Sequence, residues 1–256
     1  AAVGPGVEGF AAGDRVLAAS FFGGFTDALA VPARVVRRLP ASLSFGQGAA
    51  LVQSYATALF ALTRRCRPEK GDWVLVLGAG GGVGLASVDV AHHLGARVIA
   101  AASSEAKLAA AAQCGAEAGI RYDREDLKAR AREISGGGVH FVVDPVGGAY
   151  ADAALRALRP FGQYLVLGFA AGSIPSLRAN LILLSNRAVV GVDWGAWSMQ
   201  NHEENAALLG EMLALVEAGA LHPLEPTAYP LSRAREALAD LHARRIAGKI
   251  VLVPDA

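Results

Sequence analysis

The chain has 256 residues, 53% of them hydrophobic and 18% charged, with 24 basic against 23 acidic side chains and a formal charge of +1. A chain so apolar and so weakly charged is not intrinsically disordered, and it carries no basic footprint for nucleic acid. Its length suits one large domain or two modest ones with ample core.

Residues 1–10 have neither a basic leader region nor an apolar one, so no signal peptide is read there. Residues 16–40 read as two short strands around a Gly23-Gly24 turn, with Pro32 and Pro40 as breakers. A helix is expected over 47–65. From 70 to 194 short apolar runs alternate with helical ones. Strands are expected at 73–77, 97–100, 119–122, 140–143, 164–167 and 188–192, and helices at 84–94, 104–113, 125–134 and 149–158. Continuous apolar strands separated by helices predict a parallel sheet covered on both faces, the doubly wound α/β architecture. Beyond Trp194 the pattern gives a helix at 204–218, an extended piece at 224–229, a helix at 232–242 and a strand at 249–253. The expected division is an inserted dinucleotide domain over 52–193, with 1–51 and 194–256 forming one small α+β domain. The longest uncharged stretch, 39–63, is broken by Pro40, Gly46, Gly48 and several polar residues, so no membrane span is read. Two cysteines, Cys66 and Cys114, are too few for a disulfide framework, and the expected location is cytoplasmic.

The segment Gly78-Ala-Gly-Gly-Gly-Val-Gly84 follows an expected strand and opens an expected helix. That context turns a weak glycine pattern into a nucleotide-loop reading. The register is Ala79-x-Gly81-x-x-Gly84, with Gly82 and Val83 between. Gly81 would let a pyrophosphate approach the backbone, Gly84 would let the helix pack on the strand, and the free N–H groups of the first turn would face the phosphates.

The end of the next strand selects the cofactor. An NAD site places an acid about 20 residues on, against the ribose 2′-hydroxyl. Here the strand runs into Ala101-Ala102-Ser103-Ser104, with no carboxylate. Ser103 can donate to a 2′-phosphate, Lys107 brings a charge one turn on, and Tyr122 follows the third strand. The expected cofactor is NADPH.

These motifs, with Gly13-Asp-Arg-Val16, Gly23-Gly-Phe25, Tyr55-Ala-Thr-Ala58, Asp144-Pro-Val-Gly-Gly148, Leu167-Gly-Phe169, Asn180 and Gly248-Lys-Ile-Val-Leu252, occur in one family's order. The chain resembles the quinone oxidoreductase (zeta-crystallin-like) branch of the medium-chain dehydrogenase/reductase superfamily. The resemblance implies a GroES-like substrate domain, an inserted Rossmann domain, NADPH and a homodimer through the Rossmann edge near 188–192. It implies that Thr57, Asp144, Val146, Gly147, Gly168 and Phe169 lie near the nicotinamide. Family members begin with a strand-rich stretch, of which roughly seventy residues have no counterpart here. The substrate domain is therefore expected to be incomplete.

Zinc alcohol dehydrogenases share this fold. The structural zinc lobe needs closely spaced cysteines after the Gly-Asp-Arg-Val segment, and this chain has none there. The position of a catalytic cysteine ligand falls on Gln53, a poor zinc ligand, and no histidine shows ligand spacing. No metal is expected. The expected reaction is hydride transfer to a quinone or an α,β-unsaturated carbonyl. Tyr55 is the candidate donor to the developing oxyanion. The competing readings are an enoyl-thioester reductase and a non-catalytic NADPH-binding protein with a structural or sensing role.

Overall fold

A computed structural model describes residues 2–20 and 22–255. Phe21, in the expected front turn, and the two terminal residues lie outside the described residues. The strands are β1 (Val16–Ala18), β2 (Val36–Arg38), β3 (Trp73–Leu77), β4 (Arg97–Ala102), β5 (Ala118–Arg121), β6 (Val139–Asp144), β7 (Leu158–Val166), β8 (Ala188–Gly191), β9 (Thr227–Pro230) and β10 (Ile250–Val253). The helices are α1 (Phe45–Phe60), α2 (Gly82–His93), α3 (Glu105–Gln113), α4 (Leu127–Ile134), α5 (Tyr150–Ala157), α6 (Ala179–Leu183), α7 (Trp194–Gln200), α8 (His202–Glu217) and α9 (Ala234–His242).

Six strands form one parallel sheet in the order β5-β4-β3-β6-β7-β8. This is the order of a doubly wound dinucleotide-binding sheet, whose crevice opens where β3 and β6 diverge. Every residue of β3 is buried, as a strand covered on both faces requires. Its side chains alternate between two cores. Val74 and Val76 pack toward α1, α2 and α8, whereas Trp73, Leu75 and Leu77 pack toward α4 and α5.

Helix starts are set by local chemistry. Ser44 and Gln47 form a reciprocal capping box at α1, and Ser104 and Asp126 cap α3 and α4 through their side chains. The expected helix 47–65 divides into α1 and a wider five-residue turn, Ala61–Arg65. The seventh strand is longer than expected, and α6 and α7 add two short helices that the pattern did not disclose. No helix among the described residues is long and apolar enough to cross a membrane.

The flanks carry two short ladders outside the six-stranded sheet. The front strands β1 and β2 pair only with each other, antiparallel, and the tail strands β9 and β10 pair only with each other, parallel. Helix α8 buries Leu208, Met212 and Val216 in the core shared by α1 and α2. The tail also reaches the nucleotide loop. Gly248 bridges Gly81, and its N–H donates to the Gly80 carbonyl at 2.7 Å.

Candidate functional site

The loop after β3 is shaped by three different demands on four of its glycines. Gly84 is required by the fold: an added Cβ would collide with the Gly78 carbonyl oxygen and lie 2.8 Å from Ala79 Cα. Gly81 is not. It caps α2 with φ −96°, is exposed, and a Cβ there would meet only the Gly78 oxygen at 3.5 Å. The space over Gly81 is therefore open to a ligand, beside the free N–H groups of the first turn of α2. Gly80 and Gly82 make room for lysines. A Cβ on Gly80 would overlap the stem of Lys107, and one on Gly82 would lie 2.7 Å from Lys249 Cγ. Ala79 is fully buried, with its N–H donated to the Ala101 carbonyl, so it serves the loop rather than a ligand. Val83 is half-buried in the first turn.

The end of β4 brings Ser103 and Lys107 together as expected. Lys107 Nζ lies 3.4 Å from Ser103 Oγ and donates to the Arg244 carbonyl at 3.1 Å. Burial, then the nearby Arg244 charge, lowers the Lys107 pKa from its ordinary value. Tyr122 stacks on Tyr150 at 4.2 Å between ring centroids. Burial raises the Tyr122 pKa, against a hydrogen bond from Ser103 and the Arg244 charge. Arg244 was missed by the sequence reading. It comes from the far end of the chain, with φ +56°, and its guanidinium reaches the Ala170 carbonyl at 3.3 Å. Among the described residues neither Lys107 nor Arg244 has a carboxylate partner, whereas Arg245 next door pairs with Asp240. Two cations without a carboxylate partner among the described residues and two hydroxyls thus converge at the end of β4, with Asp123 near Tyr122.

The loops after β6 and β7 meet beside the nucleotide loop. Asp144 is buried and its carboxylate is fully engaged. It accepts from Val146 N at 2.7 Å, from Gly147 N at 2.8 Å and from the Tyr164 hydroxyl. Burial and the Asp144 charge push the Tyr164 pKa up. Asp144 therefore builds the turn that presents Val146 and Gly147 and does not itself face a ligand. Val146 closes against Gly78, and Phe169 lies over Gly147, whose φ of +65° suits glycine. The Ala170 and Ala171 N–H groups donate to the Pro145 and Val146 carbonyls, which fixes Gly168 and Phe169 against the same turn. Phe169 remains 41% exposed, an apolar face at the carboxyl edge of the sheet.

Tyr55 is corrected. Its ring is buried and its hydroxyl donates to Asp89 Oδ2 at 2.8 Å, while His222 N donates to the same oxygen at 2.7 Å. Burial first, then Asp89, raises the Tyr55 pKa strongly. Residues two apart on a helix point nearly opposite ways, so α1 cannot aim both Tyr55 and Thr57 into one crevice. Thr57 is buried and donates to the Gln53 carbonyl at 2.7 Å, which leaves its oxygen free only as an acceptor. Tyr55→Phe is expected to cost about 1–2 kcal/mol of stability and to change turnover less than twofold. A tenfold or larger fall in kcat would restore the catalytic reading.

Among the described residues no group of three or more His, Cys, Asp or Glu could hold a metal. Cys66 and Cys114 are both buried, and burial pushes each thiol up to about 12, far from a reactive thiolate. Gln53 is exposed and its Oε1 lies 3.4 Å from Lys249 Nζ.

The geometry can be set beside known proteins. A family profile described as zinc-binding dehydrogenase matches residues 82–212. Quinone oxidoreductase-like protein 2 of Bos taurus is 37% identical over 242 residues, 94% of this chain and 69% of that protein. The 2-haloacrylate reductase of a Burkholderia species is 32% identical over 259 residues, 99% of this chain and 78% of that protein. The crystal structure of Escherichia coli quinone oxidoreductase complexed with NADPH superposes with a TM-score of 0.87 at 30% identity, covering 98% of this chain and 78% of that one.

Proposed function

Since the chain belongs to the quinone oxidoreductase branch of the medium-chain dehydrogenase/reductase superfamily, we propose that it is a zinc-independent NADPH-dependent reductase of quinones or α,β-unsaturated carbonyls. The observation that carries the NADPH reading is the cluster at the end of β4. Lys107 and Arg244 lack any carboxylate among the described residues, and Ser103 and Tyr122 add hydroxyls beside them. A 2′-phosphate supplies the missing charge, and charge-assisted hydrogen bonds to it are strong. The loop fits the rest of a dinucleotide, because Gly81 is left open where the fold does not need a glycine.

Bound NADPH supplies the hydride. The chain's part is to bind, orient and exclude water. Gly81 and the first turn of α2 hold the pyrophosphate. Val146, Gly147, Gly168 and Phe169 wall the nicotinamide end. Thr57, whose hydroxyl is committed as a donor to Gln53, offers an acceptor there. With Tyr55 spent on Asp89, the residues of the crevice act by positioning rather than acid catalysis. Zinc independence rests on Gln53, whose carboxamide sits against an ammonium group, an arrangement hostile to a cation.

A homodimer follows from the exposed edge. Strand β8 ends the sheet with Val189 exposed, and Leu183, the last residue of α6, and Leu184 after it are 75% and 77% exposed. Such an apolar edge calls for a partner strand. Light scattering at micromolar concentration should give twice the chain mass.

Turnover decides the function. The purified protein, freed of zinc by chelation, is given NADPH with 1,2- or 1,4-naphthoquinone, an enone or an enoyl thioester. Oxidation of NADPH with a quinone or enone is the expected result. Preference for the thioester would move the assignment to an enoyl-thioester reductase. Tight NADPH binding without turnover on any acceptor would make it a non-catalytic binding protein, and loss of activity on zinc removal would overturn the metal-free mechanism.

A further inference from the structure

A second cavity opens at the amino end of the sheet, where β3 and β6 begin. There β6 and β7 fall out of register. Val139 pairs with Leu158 and Phe141 with Gln163, so Arg159, Pro160, Phe161 and Gly162 stand opposite His140 alone. Bulges of this kind re-aim side chains and are frequent beside binding sites. This one, with Asp72, His140 and Phe141, encloses about 190 Å³. Drug-sized ligands occupy about 300–1,000 Å³, so the room is for a single ring. Phe161 holds φ +64°, a strained conformation for a bulky residue. Its N–H donates to the Ser185 carbonyl at 2.9 Å, and its ring is 75% exposed at the mouth.

The polar groups of the cavity are mismatched. Trp73 N donates to His140 Nδ1 at 2.9 Å. A neutral imidazole whose Nδ1 accepts carries its proton on Nε2. Burial lowers the His140 pKa, against the Asp72 charge and with that of Arg159, which favours the neutral ring. Nε2 is therefore a donor, yet Arg159 Nη1, also a donor, lies 2.5 Å from it. Asp72 Oδ1 is 3.2 Å from the same nitrogen, and Asp72 Oδ2 accepts from Glu69 N at 2.9 Å. Arg159, at the exposed rim, has no carboxylate partner among the described residues. Neither has Arg187, which donates to the Leu158 carbonyl at 2.5 Å at the foot of the bulge. A guanidinium and an imidazole N–H turned toward one another share one unmet requirement, an anion that both can reach.

We infer that this cavity is a second binding site, for a small carboxylate carrying an apolar ring, held by Arg159 and His140 and covered by Phe161. The planar guanidinium matches a carboxylate in two hydrogen bonds. Asp72 on the same wall repels a doubly charged anion such as phosphate. Phe141, 8% exposed, and Pro160 give the ring an apolar floor. The site shares no residue with the nucleotide crevice, which lies at the carboxyl ends of the same strands, so the inference does not rest on the NADPH reading.

The test is calorimetric titration with benzoate, acetate and benzyl alcohol at 0.15 M salt. Wild type should bind benzoate at least about tenfold more tightly than acetate, which lacks the ring, or benzyl alcohol, which lacks the charge. Arg159→Gln, a change at an exposed side chain, should weaken benzoate about tenfold. Phe161→Gly, whose backbone suits glycine, should bring benzoate down to the level of acetate. The double variant Lys107→Ala with Arg244→Ala should bind benzoate as wild type does, which places the site outside the nucleotide crevice. An independent readout uses wild-type protein alone. Benzoate should slow the labelling of Arg159 by phenylglyoxal, followed by mass spectrometry, and benzyl alcohol should not. No binding of benzoate, equal affinity for benzoate and acetate, undiminished binding in Arg159→Gln, loss in the Lys107 and Arg244 double variant, or labelling indifferent to benzoate would each overturn the inference.

Discussion

Gly84→Ala is expected to lower stability by about 3 kcal/mol, a fall of roughly 6–12 °C in melting temperature for a chain of this size. The new methyl would meet backbone, the Gly78 carbonyl and Ala79 Cα, rather than a side chain that can swing aside. That backbone cannot retreat. Ala79 is fully buried with its N–H committed to Ala101, and Gly78 already sits at φ +57° against Val146. Gly81→Ala is the matched contrast. Its φ of −96° suits alanine and its nearest contact is an ordinary 3.5 Å. Gly81→Ala should melt within about 0.5 kcal/mol of wild type and yet bind the cofactor more weakly, because its methyl fills the face left for phosphate. Thermal melts and titrations on the two variants separate a folding glycine from a binding one. Equal stability losses at both positions would contradict the division.

The second large effect concerns the choice between NADPH and NADH. Lys107→Ala combined with Arg244→Ala should weaken NADPH by about 100-fold and NADH by less than threefold. Each cation is assigned the low end of a charged contact to phosphate, since Arg244 is solvent-exposed and its field is screened. The two singles are not expected to sum to the double. Lys107 Nζ rests on the Arg244 carbonyl, and each charge disfavours the other while no anion is present. Raising salt should reduce the wild-type preference along the same path. A double variant that loses both cofactors equally would mean that these side chains hold the loop together and do not read a phosphate.

The alternation of strands and helices was legible because both faces of the sheet are covered. Trp73 to Leu77 reads as an unbroken apolar run, and it is buried throughout. The glycine pattern disclosed a loop but not the separate duties within it, since Gly80 and Gly82 answer to lysines far away in sequence. Arg244 was not legible as a site residue, because it meets Lys107 and the Ala170 carbonyl from far along the chain. Asp144 was read toward the nicotinamide, but an aspartate two residues before a turn finds the N–H groups of its own turn first. Tyr55 was misread for want of a face. Helical position alone does not say whether a hydroxyl meets a crevice or, as here, a buried carboxylate on the next helix. The flank strands were legible as strands, but their pairing into two separate ladders, β1 with β2 and β9 with β10, was not.

The claim on which the rest depends is that this crevice holds NADPH by its 2′-phosphate. Direct titration of the wild-type protein with NADPH and with NADH, at 0.15 M salt, tests it most simply. The arrangement of Ser103, Lys107, Tyr122 and Arg244 predicts that NADPH binds at least about 100-fold more tightly. Equal affinities, or a preference for NADH, would contradict it.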